Sequence, residues 1–541
     1  MAPAELSVVR PDPAATRWTR SLRPLRPLWE RYRVPFLATA PTVPLYVVWY
    51  LFLATGGGDL AAQEAWAEFV SRHGGSAYNL SWYGGMHTAN YSLISPYLMA
   101  AIGVRTVTVV SGLAASWLAA VLIERAGVRR PVGPALLASL ALWCNVASGR
   151  TTFALGTAFG LAACLLLTRE RRVVLAGAYA ALATTASPVA GLFLAVVGAG
   201  FLVVRDWGRA VALMAPPAVV VGVTTLFFPF TGEQLMPPDR IWPPVLLGLT
   251  VTALAPRAWR VARWSGVVYA TGTVLVYLVA SPIGTNVERF AELFAPAVLL
   301  AALLTVRGLR RNLLIAVLVF AVYWVGSKTV DDLEVSTTVP AWAADTHGVV
   351  QALKRAGADR TRVEVVPARN HREATALAPH VNLARGWNRQ LDMERGRLFY
   401  DGTFSADTYR AWLDRWAVGF VVLPLGKPDG YAEDEARLVR DQRPDWLEPV
   451  WRDAHWRVYR VRGAVPLVSA PGSVVRTTSA EVDVRVPRSG SVTVRVAYSP
   501  WLRADGGCLT RDGEFTRLTV TEPGAYRLSS EYGPSPSPGR C

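Results

Sequence analysis

Between residues 35 and 327 the chain is written as a succession of apolar runs, each close to one bilayer long or somewhat shorter, parted by small groups of arginines. A hydrocarbon core takes roughly 20 apolar residues in helix, and inside it every backbone N–H and C=O must be paired within its own segment. A chain with this pattern folds as a bundle of membrane helices. The spacing predicts spans near 35–55, 104–124, 131–148, 151–168, 173–187, 188–204, 210–228, 242–256, 264–282, 290–306 and 312–327, about 11 transmembrane helices. Composition agrees, since 541 residues that are 52% hydrophobic and 18% charged are too apolar for an ordinary soluble enzyme. The apolar residues thin out after Lys328, so a second region with a different solvent follows.

The net charge of +16 would suit nucleic acid if it were gathered on one face. It is spread between the apolar runs instead, which excludes that class of partner and leaves membrane lipids. Arg and Lys collect in short cytoplasmic segments of membrane proteins. With the N-terminus inside, the inner segments hold Arg10, Arg17, Arg20, Arg23, Arg26, Arg31 and Arg33, then Arg125, Arg129, Arg130, Arg169, Arg171, Arg172, Arg205, Arg209, Arg257, Arg260, Arg263, Arg307, Arg310 and Arg311. The outer loops hold Arg72, Arg105, Arg150, Arg240 and Arg289, so the count is 21 against 5. Residues 1–34 are then a basic cytoplasmic segment, and 35–327 a multi-pass domain of a cell membrane with its longest outer loop at 56–103. The first apolar run has span length and no cleavable pattern. An odd number of crossings makes everything after 327 extracytoplasmic.

Residues 328–463 read as an α/β domain: an apolar strand at 363–367, an amphipathic helix at 407–416 and a second strand at 418–424. Residues 464–530 read as a small β-sandwich-like module. Val482, Val484 and Val486, then Val492, Val494 and Val496, alternate around Arg488-Ser-Gly490 and predict a β-hairpin with one buried face. The proline-rich tail 531–541 is expected to be disordered. Cys144 and Cys164 sit in apolar runs as packing residues, whereas Cys508 and Cys541 fall where a disulfide can form. No cysteine spacing matches a metal site.

The outer loop 56–103 opens with Gly56-Gly57-Gly58, which lets the chain turn at the membrane surface and sets Asp59 within a few residues of the bilayer. Glu64 follows five residues later. The stretch 91–103 is apolar but too short to span, so an interfacial or re-entrant helix is expected there. Asn79 and Asn90 begin glycosylation-like triplets, read as chance.

A first span, an outer loop opening on an acidic residue, an aromatic-rich stretch with Pro96-Tyr97-Leu98, and then alternating short spans together resemble the GT-C membrane glycosyltransferases. The resemblance covers roughly residues 30–330 by architecture, and its residue-level motif is Asp59. It implies a GT-C-like helical fold and a sugar donor on a polyprenyl phosphate. It also implies that Asp59 serves as general base or helps hold a divalent metal. The first loop lacks an adjacent Asp-Asp or Asp-Glu pair and the outer turn at Arg150 lacks an acid, so the sequence supports a metal only weakly.

Such a transfer needs a carboxylate to take the acceptor hydroxyl's proton and positive charge to stabilise the departing phosphate. Asp59 is the candidate for the first role. Arg150 and Arg289 break the positive-inside pattern at outer membrane edges, and a guanidinium suits phosphate, which makes them candidates for the second. Glu64, Glu233 and Asp239 are candidates for acidic support. His87, Trp387 and Asn388 are candidates for contacts to an envelope glycan acceptor. The competing classes are a multi-pass transporter of the major-facilitator kind and a non-catalytic scaffold of envelope assembly. Against transport, no two halves of six spans repeat each other.

Overall fold

Every predicted apolar run forms helix, and prolines decide how the first one does so. The computed structural model describes residues 25–89, 91–169, 172–229 and 232–533. Most of the basic N-terminal segment, Asn90, Cys541 with its proposed bridge, and the tail beyond 533 lie outside the described residues. Helix α1 (Leu25–Thr39) runs on through a tight turn at Ala40–Thr42 and a wide one at Trp49–Leu53, so that Trp29–Leu53 is one apolar rod. Pro35, Pro41 and Pro44 each remove an N–H from the helical ladder, which accounts for the changes of pitch.

The first loop carries α2 (Asp59–His73), a two-stranded ribbon β1 (Tyr78–Asn79) and β2 (Met86–His87), and α3 (Ser95–Ile102), the short helix expected near the interface. The bundle continues with α4 (Val104–Arg125), α5 (Val132–Ala147), α6 (Thr151–Leu166), α7 (Val173–Ala186), α8 (Pro188–Val203) and α9 (Trp207–Phe227). It closes with α10 (Pro238–Leu254), α11 (Arg260–Leu278), α12 (Glu288–Leu303) and α13 (Leu309–Thr337). The Trp29–Leu53 rod, α4, α9 and α13 are long and apolar enough to cross a membrane. The other helices pack among them. Gly248 on α10 and Gly266 on α11 show how closely, since a Cβ on either would lie within 3.0 Å of the other's carbonyl oxygen. Large apolar side chains point outward, with Val174 89% and Leu226 76% exposed, the arrangement that lipid as solvent favours.

Helix α13 continues past Lys328, the expected boundary, because its last turns carry Asp331, Asp332 and Glu334 without breaking helical pairing. Beyond it, α14 (His347–Ala356), β3 (Arg362–Val365), α15 (Arg389–Arg395), α16 (Ala406–Arg415), β4 (Val418–Pro424), β5 (Leu447–Arg452) and β6 (Trp456–Val461) form an α/β unit. Its sheet has the order β3-β4-β6-β5, with β3 parallel to β4 and the other pairs antiparallel. The amphipathic helix expected at 407–416 is α16, opened by a capping box between Ser405 and Thr408. Trp412, Trp416 and Trp456 are core residues, each at most 4% exposed.

The C-terminal strands β7 (Ser473–Thr477), β8 (Val482–Val486), β9 (Gly490–Ala497), β10 (Leu502–Ala504), β11 (Cys508–Asp512), β12 (Phe515–Val520) and β13 (Gly524–Ser530) make two facing sheets, ordered β10-β13-β8-β7 and β11-β12-β9. The expected hairpin is corrected here. β8 and β9 lie in different sheets, and their valines meet across the sandwich rather than along a shared ladder. Alternation reports one buried face and does not distinguish a hydrogen-bonded partner from a facing one.

Candidate active site

The glycine run seats Asp59. Gly56 and Gly58 hold φ of +85° and +63°, and a Cβ on Gly57 would lie 2.7 Å from the Ser336 carbonyl and 2.9 Å from the Arg372 guanidinium. The chain therefore leaves the first rod, turns beneath the end of α13 and enters α2 with Asp59 as its first helical residue, where the helix's positive end favours a carboxylate. Arg372 locks the turn from the other side by donating to Thr55 and to the Ser336 carbonyl.

Two guanidiniums flank this carboxylate. Arg150, at the turn from α5 to α6, has its Nε 3.6 Å from Asp59 Oδ2, and Arg289, at the start of α12, has its Nη2 3.7 Å from the same oxygen. Arg289 also lies over the Phe153 ring, 5.4 Å from its centroid. Arg150 donates to Glu292 Oε2 at 2.9 Å and to Asp332 Oδ2 at 3.2 Å. Lys328 donates to both Glu288 and Glu292, and Arg240 stands 3.7 Å from Glu288. Glu288, the residue before Arg289, thus serves Lys328 and Arg240. Asp59, Glu288, Glu292 and Asp332 are matched by Arg150, Arg240, Arg289 and Lys328. Arg150 is tied down by carboxylates on both terminal nitrogens. Among the described residues Asp59 is the one carboxylate within 4.0 Å of Arg289, whose charge also acts on Glu292.

The opposite wall comes from the α/β unit. Trp387 donates from Nε1 to the Gly58 carbonyl at 3.0 Å and stacks on His371, with ring centroids 3.5 Å apart. His371 holds φ of +54°, a left-handed conformation that costs strain and sets its ring against Trp387. Arg389 donates to Asp429 at 2.8 Å and to the Tyr400 hydroxyl at 3.0 Å, and its guanidinium lies over the rings of Trp387 and Tyr431 at 5.0 and 5.1 Å. Burial works against the Asp429 carboxylate, but Arg389 and His371 outweigh it and hold its pKa below the ordinary aspartate range. Between the walls is a cavity of about 480 Å³, lined by Asp59, Arg150, Arg240, Arg289 and Asp332 on one side and by Arg369, Trp387, Arg389, Tyr400 and Tyr431 on the other.

A second, apolar cavity of about 430 Å³ runs between the helices below, lined by Phe193, Leu247, Tyr269, Phe290 and Phe294 among others. The two hollows are adjacent through consecutive residues of α12, Arg289 facing the polar one and Phe290 the apolar one. Phe153, beneath Arg289, meets Phe193 edge-on at 5.7 Å, and Phe193 meets Phe290 at 5.1 Å.

Of the residues singled out in the sequence, Asp59, Arg150, Arg289 and Trp387 come together. Glu64 does not join them. It sits part-buried against Gly56, its pKa raised by burial against the pull of Arg105 and Arg372. Glu233 and Asp239 lie outside the cavity lining, their neighbours Gln234 and Arg240 within it. Asn388 is spent on structure, its side chain accepting from Leu391 N to cap α15. His87 lines a third hollow, discussed below. The sequence reading missed Glu292, Asp332 and Lys328, and on the other wall Arg369, His371 and Asp429. A signal existed for Glu292: with Glu288 it makes an acidic pair one turn apart at the head of an apolar span.

A family profile described as a domain of unknown function, DUF8823, matches residues 469–507. No curated protein matches. The fold is similar to that of arabinofuranosyltransferase AftD from Mycobacteria, with TM-score 0.43 and 12% identity over 92% of this chain and 57% of that one. A mutant form of AftD gives TM-score 0.44 and 12% identity over 92% of this chain and 60% of that one. The chain thus spans about 60% of the length of these solved chains.

Proposed function

We propose that this chain is a GT-C-like membrane glycosyltransferase that moves a sugar from a polyprenyl-phosphate donor to a cell-envelope glycan or lipid at the outer membrane face. One observation carries the reading: a carboxylate flanked by two guanidiniums, in a polar cavity adjoining an apolar one within the helices. That pairing fits an amphiphilic donor, with its phosphate against Arg289 and Arg240 and its tail among Phe193, Phe290 and Leu247. The positive-inside count supports a cytoplasmic N-terminus, about eleven crossings and an extracytoplasmic C-terminal half.

In the reaction, an acceptor hydroxyl oxygen bonds to the anomeric carbon of the donor sugar. The bond from that carbon to the phosphate oxygen breaks, and its electron pair stays on the phosphate. The hydroxyl proton passes to Asp59. Arg289 and Arg240 stabilise the charge gathering on the phosphate, and Arg150 keeps Asp59 in place. The aromatic wall of Trp387, Tyr400 and Tyr431 offers faces on which an acceptor sugar can lie. A divalent metal fits this site poorly. Among the described residues no three His, Cys, Asp or Glu side chains converge to hold one, and the acids nearest Asp59 are engaged by Arg150 and Lys328.

The test supplies purified protein with a labelled polyprenyl-phosphate sugar and envelope acceptor extract, comparing wild type with Asp59→Ala. Loss of the base is expected to slow transfer by about 10²–10⁴-fold. Equal transfer by both proteins removes Asp59 from the mechanism. Uptake of the sugar into proteoliposomes without transfer favours a transporter.

A further inference from the structure

Helix α15 has two chemically different neighbours. Arg389 and Met393, one turn apart, face the Asp59 cavity, while Leu391, Glu394 and Arg395 on the opposite face line another hollow of about 370 Å³. One helix width, about 10 Å, separates the two. Besides α15, four other parts of the chain build this third hollow: Tyr78 and His87 from the first loop, Pro229 after α9, Arg415 and Trp416 at the end of α16, and Tyr498, Arg511 and Glu514 from the sandwich.

Its chemistry restricts the occupant. Arg511 lies over the Tyr498 ring at 5.4 Å, and Arg415 forks onto Glu514 with two contacts of 2.6 Å. Arg395 is committed to the carbonyls of Tyr83 and Gly85. His87 shares a hydrogen bond of 3.0 Å with Ser499, and burial, reinforced by Arg395, pushes its pKa down to about 4, so it is neutral at ordinary pH. Three arginines face two glutamates, a near balance that suits neither a polyphosphate nor a nucleic acid. The lining is too polar for an acyl or isoprenoid chain. An aromatic face beside forked guanidinium and carboxylate groups suits a neutral ligand rich in hydroxyls.

We infer that this hollow is a second glycan-binding site, which holds the acceptor chain some sugars away from the unit entering the Asp59 cavity. It rests on the glycosyltransferase reading for its purpose but not for its detection. A chain gripped here has its end kept at high local concentration beside Asp59, so long acceptors gain affinity that short ones do not.

The experiment uses full-length protein in detergent and fluorescently labelled envelope oligosaccharides, as disaccharides and as long chains. Tyr498→Ala, Glu394→Gln and Arg511→Ala are compared with wild type by fluorescence anisotropy and by transfer kinetics. Tyr498→Ala is expected to weaken long-chain binding and raise KM for long acceptors about tenfold, leaving disaccharide KM and kcat unchanged. Asp59→Asn should abolish transfer yet keep long-chain binding. If wild type transfers nothing but Tyr498→Ala still loses long-chain binding, the glycosyltransferase reading fails and the site stands. If melting shows Tyr498→Ala to be unfolded, the two exposed positions Glu394 and Arg511 decide. Long-chain binding equal to wild type in the folded variants, or no binding by wild type, overturns the proposal.

Discussion

The two walls of the Asp59 cavity are built on different principles. On the helical wall charges are held by charges, so Arg150, Glu292, Asp332, Lys328 and Glu288 form one connected set in which each member compensates another. On the opposite wall, rings carry the surface, and Arg389 is pinned by one carboxylate and one hydroxyl. A fixed array of buried charge provides a preorganised field where charge develops in a reaction, whereas aromatic faces read shape. The first wall is therefore the place to look for rate, and the second for acceptor affinity.

The largest effect expected from this contrast is on stability. Lys328→Met leaves Glu288 and Glu292, 1% and 9% exposed at their side chains, without their shared cation, and should cost about 3–5 kcal/mol. Thermal unfolding of the detergent-solubilised protein measures it, and melting like wild type would break the comparison at its first term. Next comes Arg289→Gln, which removes a charge from the phosphate side while sparing the Arg150 network. A fall in kcat of about 10²–10³-fold is expected, with the melting temperature kept.

The sequence exposed the first wall better than the second, for a physical reason. Arg150 and Arg289 violate a solvent rule, being basic residues at an outer membrane edge where orientation does not call for them, and Asp59 opens the outer loop directly after a glycine run. Lys328 obeyed a simpler story, the end of the last apolar run, and so its partnership with Glu288 and Glu292 stayed hidden although α13 carries it straight into the site. The second wall needs residues 369–431 brought against residue 59, contacts made by the α/β unit docking through Arg372 and Trp387. No local periodicity encodes such pairings. Trp387 stands out for its aromaticity, whereas the polar Asn388 beside it caps α15. The helices themselves were legible because lipid imposes a length and a composition on each one. The misassigned β8–β9 pairing marks the limit of period-two patterns, which tell a strand its inner face and not its neighbour.

Trp387→Ala tests the second wall directly. It should raise KM for the acceptor about tenfold and leave kcat within about twofold. A fall in kcat with KM unchanged would mean that the ring acts on the transition state, and the division of labour between the walls would go. The indole also bonds the Gly58 carbonyl next to Asp59, so Trp387→Phe, which keeps the ring and loses that bond, separates stacking from positioning.

The smallest effect concerns Asp429, which holds Arg389 beneath the rings. Its pKa in the folded protein lies below the ordinary aspartate value, because Arg389 and His371 overcome the cost of burial. Above the unfolded value, about 4, both states are ionised and the pair contributes its full stability. As pH falls below that, the unfolded chain takes up the proton first, and the contribution is lost as pH drops through the folded pKa. Asn at this position has no proton to gain. Asp429→Asn should therefore lose less thermal stability than wild type on acidification below about pH 4, and show the same slope as wild type above it. Parallel melting curves across the whole range would show that Arg389 gains nothing from Asp429, leaving Tyr400 and the rings to hold the acceptor wall.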